Sequence, residues 1–488
     1  MTDSLKATTS WLTEAEKSAI ADQAIELLAN VGMRFTGSRT LPLLAARGAR
    51  IDETTGVVRL PRDLVEWAAA TAPRSVLLGG AAAADDVLLG EGERFHFCPS
   101  GCVAKTLDFR TGIRRPSTLD DVRSGTALLD EMPELDVMVT QVTATDVPLE
   151  QRELVEYHAV LTETAKHVTF IDCPHEVDAV LRILDVLAGD LERFRARPRI
   201  STVVTAASPL QVDGAALDVH VALAGRGAPV FVYSMAIAGA TAPVTLAGTV
   251  AQGVAEFLGI ATALQVAAPG AGLVFCFGSG VLDMLRTTFS LGCLESGLMA
   301  VAATEVGHYL GVPTLNPGFS TDAKHAGIQA GYEKALKALT VCGAGPDLVS
   351  GWGVIDSHNT MSMTQIVIDN EIAAMVRRLL GQVEVSDGTL AADAIAQVGP
   401  GGDFLGRKET ARRIRAGEHF MPTISDRVSY EKWAEGEKTE VDAAREQVEQ
   451  VLAARAQRPS YLDEAQLEAL AEICLPSDGG AGRAPRAT

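Results

Sequence analysis

Residues 228–279 read APVFVYSMAIAGATAPVTLAGTVAQGVAEFLGIATALQVAAPGAGLVFCFGS and contain a single charged residue, Glu256. Within them, PVFVYSMAI (229–237) is a continuous apolar run with Val, Phe and Tyr, which is typical of a buried parallel strand. The next 24 residues (244–267) predict a helix, and LVFCFG (273–278) predicts a second strand. The stretch therefore predicts a strand–helix–strand unit that is covered on all sides.

A membrane span is the alternative interpretation of this apolar stretch. Crossing a bilayer takes about 20 apolar residues, and residues 228–255 are long enough. However, several glycines lie in or beside the segment, and Lys and Arg do not collect at its ends. The buried strand–helix–strand interpretation is favoured.

The same alternation of strands and helices is predicted before and after residues 228–279. Further strands are predicted at LDVMVTQV (135–142), HVTFIDC (167–173), ISTVVTAA (200–207), VPTLN (312–316) and DLVSGWGV (347–354), separated by helical stretches. Seven such units fit an α/β fold of the (β/α)₈ TIM barrel type better than an open sheet. The eighth strand is expected near Gly402–Leu405.

The barrel is predicted to lie between two extensions. Residues 1–130 are expected to form N-terminal helices and a β-hairpin packed on the barrel, and residues 131–425 the barrel itself. Residues 426–476 are expected to form C-terminal helices, and residues 477–488 a disordered tail.

Composition excludes some classes of partner. The 488 residues carry a net charge of −20, which argues against nucleic acid and anionic membranes. The N-terminus MTDSLKATTS lacks the features of a secretory signal, so a cytoplasmic location is expected. A homodimer is the expected oligomer.

Cys98 and Cys102 form the one close cysteine pair, with His96 beside them. Zinc needs three or four ligands, and no second cluster appears. A redox pair or two loop cysteines are at least as consistent with the spacing, so no bound metal is predicted.

The carboxyl ends of the strands are where barrel active sites lie. Phe277 and Trp352 fall there although only 5% of the residues are aromatic. Aromatic faces attract cations such as quaternary ammonium groups. Core packing at the barrel rim is the alternative role for each ring.

Polar candidates follow the last predicted strands. His358 lies among polar neighbours and is suited to bind a substrate carboxylate or to steer a proton, with an exposed or capping role as the alternative. Gln329 and Glu333 lie one helical turn apart, either as a polar wall of the site or as a solvated helix face.

Several ordered stretches closely resemble the trimethylamine methyltransferase family, in its non-pyrrolysine branch that includes glycine betaine methyltransferase. They span nearly the whole chain and include LLANVGMRFTG (27–37), DFRTGIRRPSTLDDV (108–122), AGATAPVTLAGTVAQGVAEFLG (238–259), TDAKHAGIQAGYEKAL (321–336), SMTQIVIDNEIAAMVRRLLG (362–381), VGPGGDFL (398–405) and DRVSYEKWAEGE (426–437).

The resemblance implies a TIM barrel that moves a methyl group from a quaternary amine such as glycine betaine to the Co(I) of a corrinoid. The corrinoid (a cobalamin) is carried by a separate partner protein, and no tightly bound cofactor is expected. The trimethylamine enzymes carry pyrrolysine, whereas this chain has only standard residues, which favours a quaternary amine.

The resemblance also suggests roles for particular residues. The substrate-binding set is Phe97, Phe277 and Trp352 around the cation, with Asp283 lining the cavity. The catalytic set is His358 toward the anionic end of the substrate, with Asp322, Gln329 and Glu333 lining or closing the cavity.

The sequence leaves three alternative functions open. One is the same reaction on another quaternary amine, such as proline betaine or a carnitine-like compound. Another is a betaine-binding barrel without catalysis, and the third is a zinc enzyme that uses Cys98 and Cys102.

Overall fold

The structure is a computed structural model and describes residues 9–90, 95–171, 177–381 and 383–475. The predicted tail, residues 477–488, and the predicted strand end at residues 172–173 lie outside these ranges.

Within the described residues, eight parallel strands form one nearly closed sheet. In chain order they are β1 (His96–Pro99), β2 (Val137–Val139), β3 (His167–Phe170), β4 (Ile200–Thr205), β5 (Val230–Ser234), β6 (Leu273–Phe277), β7 (Thr314–Pro317) and β8 (Leu348–Trp352). This is the predicted (β/α)₈ barrel, and the seven predicted strands are confirmed as β2 to β8.

Helices alternate with the strands and surround them. The N-terminal helices are α1 (Glu14–Asn30), α2 (Leu41–Ala46) and α3 (Arg62–Thr71). The helices of the barrel are α4 (Leu119–Asp130), α5 (Leu149–Leu161), α6 (Val177–Ala188), α7 (Leu191–Ala196), α8 (Gly214–Arg226), α9 (Leu246–Ala267), α10 (Leu294–Tyr309), α11 (Ile328–Gly343) and α12 (Met363–Leu380). The C-terminal helices are α13 (Asp387–Leu390), α14 (Ala392–Val398), α15 (Lys408–Arg415), α16 (Tyr430–Trp433), α17 (Glu440–Arg455) and α18 (Glu464–Cys474).

The position predicted for the eighth strand is wrong. Residues 402–405 form no strand, and the barrel is instead completed by β1, which pairs in parallel with β8. On its other side β1 meets β2, where the Asp136 N–H donates to the Phe97 carbonyl at 2.9 Å. The chain thus supplies the missing strand from its N-terminal part. The domain boundaries at 130, 425 and 476 stay predictions, although β1 joins the barrel from before the first of them.

Short strands extend the barrel at both ends. Met33–Thr36, Arg50–Asp52, Val57–Arg59 and Gln211–Asp213 form one sheet, and Val76–Leu78 pairs with Val87–Leu89. Lys105–Leu107 and Arg114–Pro116 form the predicted hairpin, joined by Val354–Ile355 and Thr360–Ser362. Ile237–Ala238, Gly280–Asp283 and Thr288–Ser290 form a small sheet after β5 and β6.

The apolar helix α9 is a buried core helix. It is the one helix in the described residues that is long and apolar enough to span a membrane, but most of it is buried inside the protein. Helices α1 and α3 pack directly on it. Its charged residue Glu256 is buried and accepts hydrogen bonds from Ser208, Ser234 and Gln252. The membrane-span alternative is therefore wrong.

Neighbouring residues of each barrel strand point in opposite directions, because successive side chains of a strand alternate between its two faces. Cys98, Phe231 and Cys276 belong to the cluster that fills the barrel lumen. Phe97 and Phe277, one residue away from two of them, belong to the clusters between the strands and the helices. This alternation decides which residues can face a ligand in the barrel.

Candidate active site at the barrel mouth

Asp322 ties together three loops at the carboxyl ends of β6, β7 and β8. Its carboxylate accepts hydrogen bonds from the hydroxyls of Ser290 and Ser357 and from the backbone N–H groups of Leu291 and Gly292. Burial by itself would raise the pKa of Asp322, but these hydrogen bonds outweigh burial and lower it. Asp322 is thus an ionised carboxylate whose acceptor positions are used by the protein.

Glu333 on α11 fixes the loop after β7 in a similar way. It accepts from the Thr321 hydroxyl at 2.5 Å and from the Asp322 N–H at 2.8 Å. The Gln329 side-chain amide donates to its other oxygen at 2.8 Å. The three predicted residues Asp322, Gln329 and Glu333 therefore lie together, in an arrangement that suits loop positioning better than proton transfer.

The loop after β8 contains three consecutive residues in the left-handed region. Asp356, Ser357 and His358 have φ values of 57°, 50° and 67°. This conformation costs about 1–2 kcal/mol per non-glycine residue and persists only where the surroundings fix it. Here, Arg114 and Lys324 each bind the Asp356 carboxylate at 2.8 Å, and Ser357 donates to Asp322 at 2.5 Å.

The strained turn presents the imidazole of His358. The pKa of His358 is lowered to about 3. Burial is the largest cause, and the nearby positive charges of Lys337 and Lys334 add to it. The ring is therefore neutral at physiological pH. Its Nδ1 is buried and has no hydrogen-bond partner in the described part of the chain. A neutral imidazole can place one N–H or one lone pair toward a ligand there.

Lys337 on α11 is a buried amine beside this network. Its Nζ donates to the Leu291 carbonyl at 2.9 Å and to the Ser296 hydroxyl at 2.8 Å. No ion pair involves it among the residues that the structure describes. Burial, only partly offset by Cys293, Asp322 and other acidic neighbours, lowers its pKa from 10.5 to about 7. Its charge state therefore changes near neutral pH.

The low pKa of Lys337 predicts a stability that rises with pH. The unfolded chain keeps its proton up to about pH 10.5, whereas the folded protein releases it near pH 7. Between these values the unfolded state binds more protons, so this residue stabilises the fold as pH increases. The slope reaches at most about 1.4 kcal/mol per pH unit. Denaturant unfolding at pH 7, 8 and 9 should show this rise in the wild type, and Lys337→Met should reduce it.

Lys408→Met is the control, because Lys408 lies exposed on the remote helix α15. That variant should keep the pH dependence of the wild type. If the free energy of unfolding rose equally with pH in the wild type and in Lys337→Met, the low pKa of Lys337 would be contradicted.

Lys334, one helical turn before Lys337, forms a fully buried ion pair. Its Nζ lies 2.7 Å from the Asp369 carboxylate on α12, and neither side chain contacts solvent. Asp369 also accepts from the Gly353 N–H and the Gln365 amide. The pair fixes α11, α12 and the backbone just after β8, which is the base of the loop that carries His358.

Several buried polar atoms at this end of the barrel have no partner in the described ranges. One lies on the last residue of β8 and the others follow β2, β6, β7 and β8; they are Trp352 Nε1, Gln141 Oε1, Ser279 Oγ, Ser320 Oγ and His358 Nδ1. Buried polar groups are nearly always hydrogen-bonded. Such a group of unsatisfied atoms at the mouth of a barrel is typical of a site for a polar ligand.

The structure brings together two of the three predicted aromatic residues. The rings of Phe97 and Trp352 lie 5.5 Å apart, and Phe319 completes a cluster of three. All three are fully buried. The guanidinium of Arg377 already lies 4.7 Å from the Phe97 ring, so a cation from the protein itself occupies that position.

Phe277 and Asp283 lie apart from this cluster. Phe277 points away from the lumen, and a Cβ on Gly253 of α9 would lie 2.4 Å from its ring. Asp283 ends the first strand of a hairpin and binds Arg286 of the following turn at 2.9 Å. The structure therefore does not place Phe97, Phe277 and Trp352 around one cavity, because Phe97 and Phe277 lie on the helix-facing side of their strands.

Tyr233 is the aromatic residue that sequence reasoning missed. It lies near the end of β5 and packs with the lumen cluster, and the residue is only partly buried. Lys334 and Lys337 were missed as well. The signal for them was the spacing i, i+3 on one helix face, but lysines in a helix usually lie in solvent.

The cysteine pair shows no metal-site geometry. Cys98 is buried in the lumen, where burial raises the pKa of its thiol, and His96 lies 3.5 Å from Asp136. Among the described residues, no group of three or more His, Cys, Asp or Glu side chains could hold a metal ion.

A comparison with protein families adds a decisive observation to this geometry. The family model described as trimethylamine methyltransferase matches residues 3–474. The chain belongs to the trimethylamine methyltransferase family. Trimethylamine methyltransferase MttB of Desulfitobacterium hafniense (strain DSM 10664 / DCB-2) is 30% identical over 441 residues, which cover 90% of this chain and 88% of that protein.

Glycine betaine methyltransferase of Desulfitobacterium hafniense (strain Y51) is also similar to this chain. It is 27% identical over 445 residues, which cover 91% of this chain and 92% of the relative. Among solved structures, the monomethylamine methyltransferase of Methanosarcina barkeri matches with a TM-score of 0.49 and 15% identity, over 92% of this chain and 96% of that one.

Membership in the trimethylamine methyltransferase family makes this protein an enzyme. It transfers a methyl group from a methylamine or quaternary amine to a separate corrinoid protein. The loops joined by Asp322, Glu333 and His358 lie where barrel enzymes carry their active sites.

Proposed function

We propose that this trimethylamine methyltransferase family member acts on a quaternary amine of the glycine betaine type. The observation that carries this proposal is His358, a neutral imidazole held at the barrel mouth, whose buried Nδ1 has no hydrogen-bond partner among the described residues. A betaine has a carboxylate that can accept a hydrogen bond from such a group, and trimethylamine has none.

The chemistry of the substrate fits a chain of standard residues. A quaternary nitrogen keeps the electron pair of the broken C–N bond and leaves as a neutral tertiary amine, so it needs no acid to protonate it. The corrinoid, when supplied by its carrier, provides a Co(I) centre as a strong nucleophile that accepts the methyl group. The enzyme then has to orient the substrate in a water-poor site.

Each part of the network has a task in this proposal. His358 orients the carboxylate of the substrate, and Asp322, Gln329 and Glu333 hold the loops that frame the mouth. Trp352 and Phe97 support this wall from behind. Lys337 adds a positive charge near the carboxylate in its protonated state.

The rim of the barrel suits a protein partner that delivers the corrinoid. Apolar side chains are exposed on the loop after β5 and on the hairpin after β6, namely Met235, Val244, Met284 and Leu285. A Cβ on Gly239 would lie within 4 Å of both Met284 and Val244, so these two side chains are neighbours. Exposed apolar groups around a site are typical of protein contacts. A cytoplasmic location and a homodimer belong to the same proposal.

Purified protein should transfer methyl groups from glycine betaine to free Co(I) cobalamin. Methylcobalamin formation changes the visible absorbance, so the reaction can be followed directly with glycine betaine, proline betaine, carnitine and trimethylamine. We expect turnover with at least one betaine and none with trimethylamine.

The other outcomes of this panel are informative. Turnover limited to proline betaine or carnitine would keep the reaction class but change the substrate. Binding of a betaine without turnover, also in the presence of a corrinoid protein, would favour a betaine-binding barrel. Turnover with trimethylamine alone would overturn the proposal.

A further inference from the structure

Tyr233 places an aromatic ring inside the barrel, just below the mouth. In the sheet it is paired with Thr205 of β4 and with Cys276 of β6. Its hydroxyl lies beside Ser350 of β8, so the side chain reaches across the lumen. The residue is only partly buried, in contrast to the fully buried Phe97 and Trp352.

The residue beside this ring is a glycine. A Cβ on Gly278 would lie 3.5 Å from Cε1 and 3.6 Å from Cδ1 of Tyr233, and 3.6 Å from Met235. These are ordinary contact distances, so a small side chain would fit there without strain. Glycine at this position therefore puts no side chain of its own against that edge of the ring.

Among the described residues, the groups that interact with the ring are neutral. Burial raises the pKa of Tyr233 and of the neighbouring thiol of Cys276, so all of these groups are uncharged at physiological pH. Thr205 is the sheet partner of Tyr233, Ser350 lies beside its hydroxyl, and Met235 lies beside Gly278. Among the described residues, these groups offer a cation a π face, a thioether and hydroxyls. This suits a methylated ammonium group, which binds aromatic faces without needing an ion pair.

We propose that Tyr233 binds the methylated ammonium head of the substrate against its ring and that Gly278 keeps the space for it. The proposal rests on the proposed function, because that function makes the ligand a quaternary amine. It replaces the Phe97, Phe277 and Trp352 lining with a single residue that faces the lumen.

The test compares two ligands that differ only in charge at the head. Glycine betaine and 3,3-dimethylbutanoate share a carboxylate and three methyl groups, but the second has carbon in place of the positive nitrogen. Isothermal titration without corrinoid should show that the wild type prefers glycine betaine. Tyr233→Leu should weaken glycine betaine binding about tenfold or more and leave 3,3-dimethylbutanoate nearly unchanged. Tyr233→Phe keeps the ring and should keep the preference.

Two further variants complete the test. Phe277→Leu removes a ring at the next strand end that faces the helices, and it should leave the preference unchanged. Gly278→Ala should weaken the binding of both ligands. This variant tests the site independently if Tyr233→Leu does not fold. A preference that survives in Tyr233→Leu would overturn the role of Tyr233, and unchanged affinities in Gly278→Ala would overturn that of Gly278. Betaine binding that depends on Tyr233, in a protein that transfers no methyl group, would refute the proposed function and support this inference.

Discussion

Replacing Lys334 with Met is expected to lower the free energy of unfolding by about 3–5 kcal/mol, because it leaves a buried charge without its partner. The Asp369 carboxylate lies 2.7 Å from the lysine, and both side chains are excluded from solvent. Among the described residues, Asp369 would keep its bonds from Gly353 and Gln365 but no cation. Chemical denaturation followed by circular dichroism measures the difference.

A surface ion pair provides the matched control. Lys438 and Glu446 are 2.5 Å apart, but about half of each side chain is exposed, so Lys438→Met should cost at most about 1 kcal/mol. Adding Asp369→Asn to Lys334→Met should restore part of the loss, since the buried charge is then removed. A cost below 1 kcal/mol for Lys334→Met alone would show that the pair does not hold this end of the barrel.

Asp322→Ala is expected to reduce methyl transfer by about 100-fold, because small displacements of a positioned group have effects of this size. The substitution removes the acceptor of Ser290, Ser357, Leu291 and Gly292 at once. The left-handed turn that presents His358 would then lose one of its restraints. The cobalamin assay measures the rate, and hydrogen exchange of residues 354–360 reports on the turn.

Asp283→Asn is the control for this experiment. Asp283 is also acidic and lies in the neighbouring hairpin, but in the described part of the chain its carboxylate accepts hydrogen bonds from its own turn, from Leu285 and Arg286. Its replacement should change the rate by less than about threefold, as expected of surface substitutions. If Asp322→Ala kept both the wild-type rate and slow exchange in residues 354–360, the positioning role would be refuted.

The arrangement of strands and helices could be predicted because buried parallel strands give long apolar runs separated by helical stretches. Residues 229–237 and 273–278 were assigned in this way, and β5 and β6 confirm them. The first strand was missed because His96–Pro99 is short and adjoins a true hairpin at Lys105–Pro116. A strand of four residues carries too little pattern to separate it from its neighbours.

The direction of the side chains could not be predicted in the same way. Both faces of a barrel strand are buried, so the strands show no polar alternation that marks the lumen. This is why Phe277 was assigned to the site and Tyr233 was not. His358 could be identified because its polar neighbours and its position after β8 are visible in the sequence. The burial of Lys334 and Lys337 depends on how α11 packs, which the helix pattern alone does not reveal.

The pairing of His96 with Leu348 has a consequence for how the enzyme is made. The barrel cannot close until about 250 further residues have been synthesised. Strand β1 therefore stays partly exposed until β8 is available to pair with it. A truncated protein that begins at residue 131 would have seven of the barrel strands, and the edges of β2 and β8 would be unpaired. Such a fragment should aggregate instead of folding, because unpaired sheet edges pair with other chains.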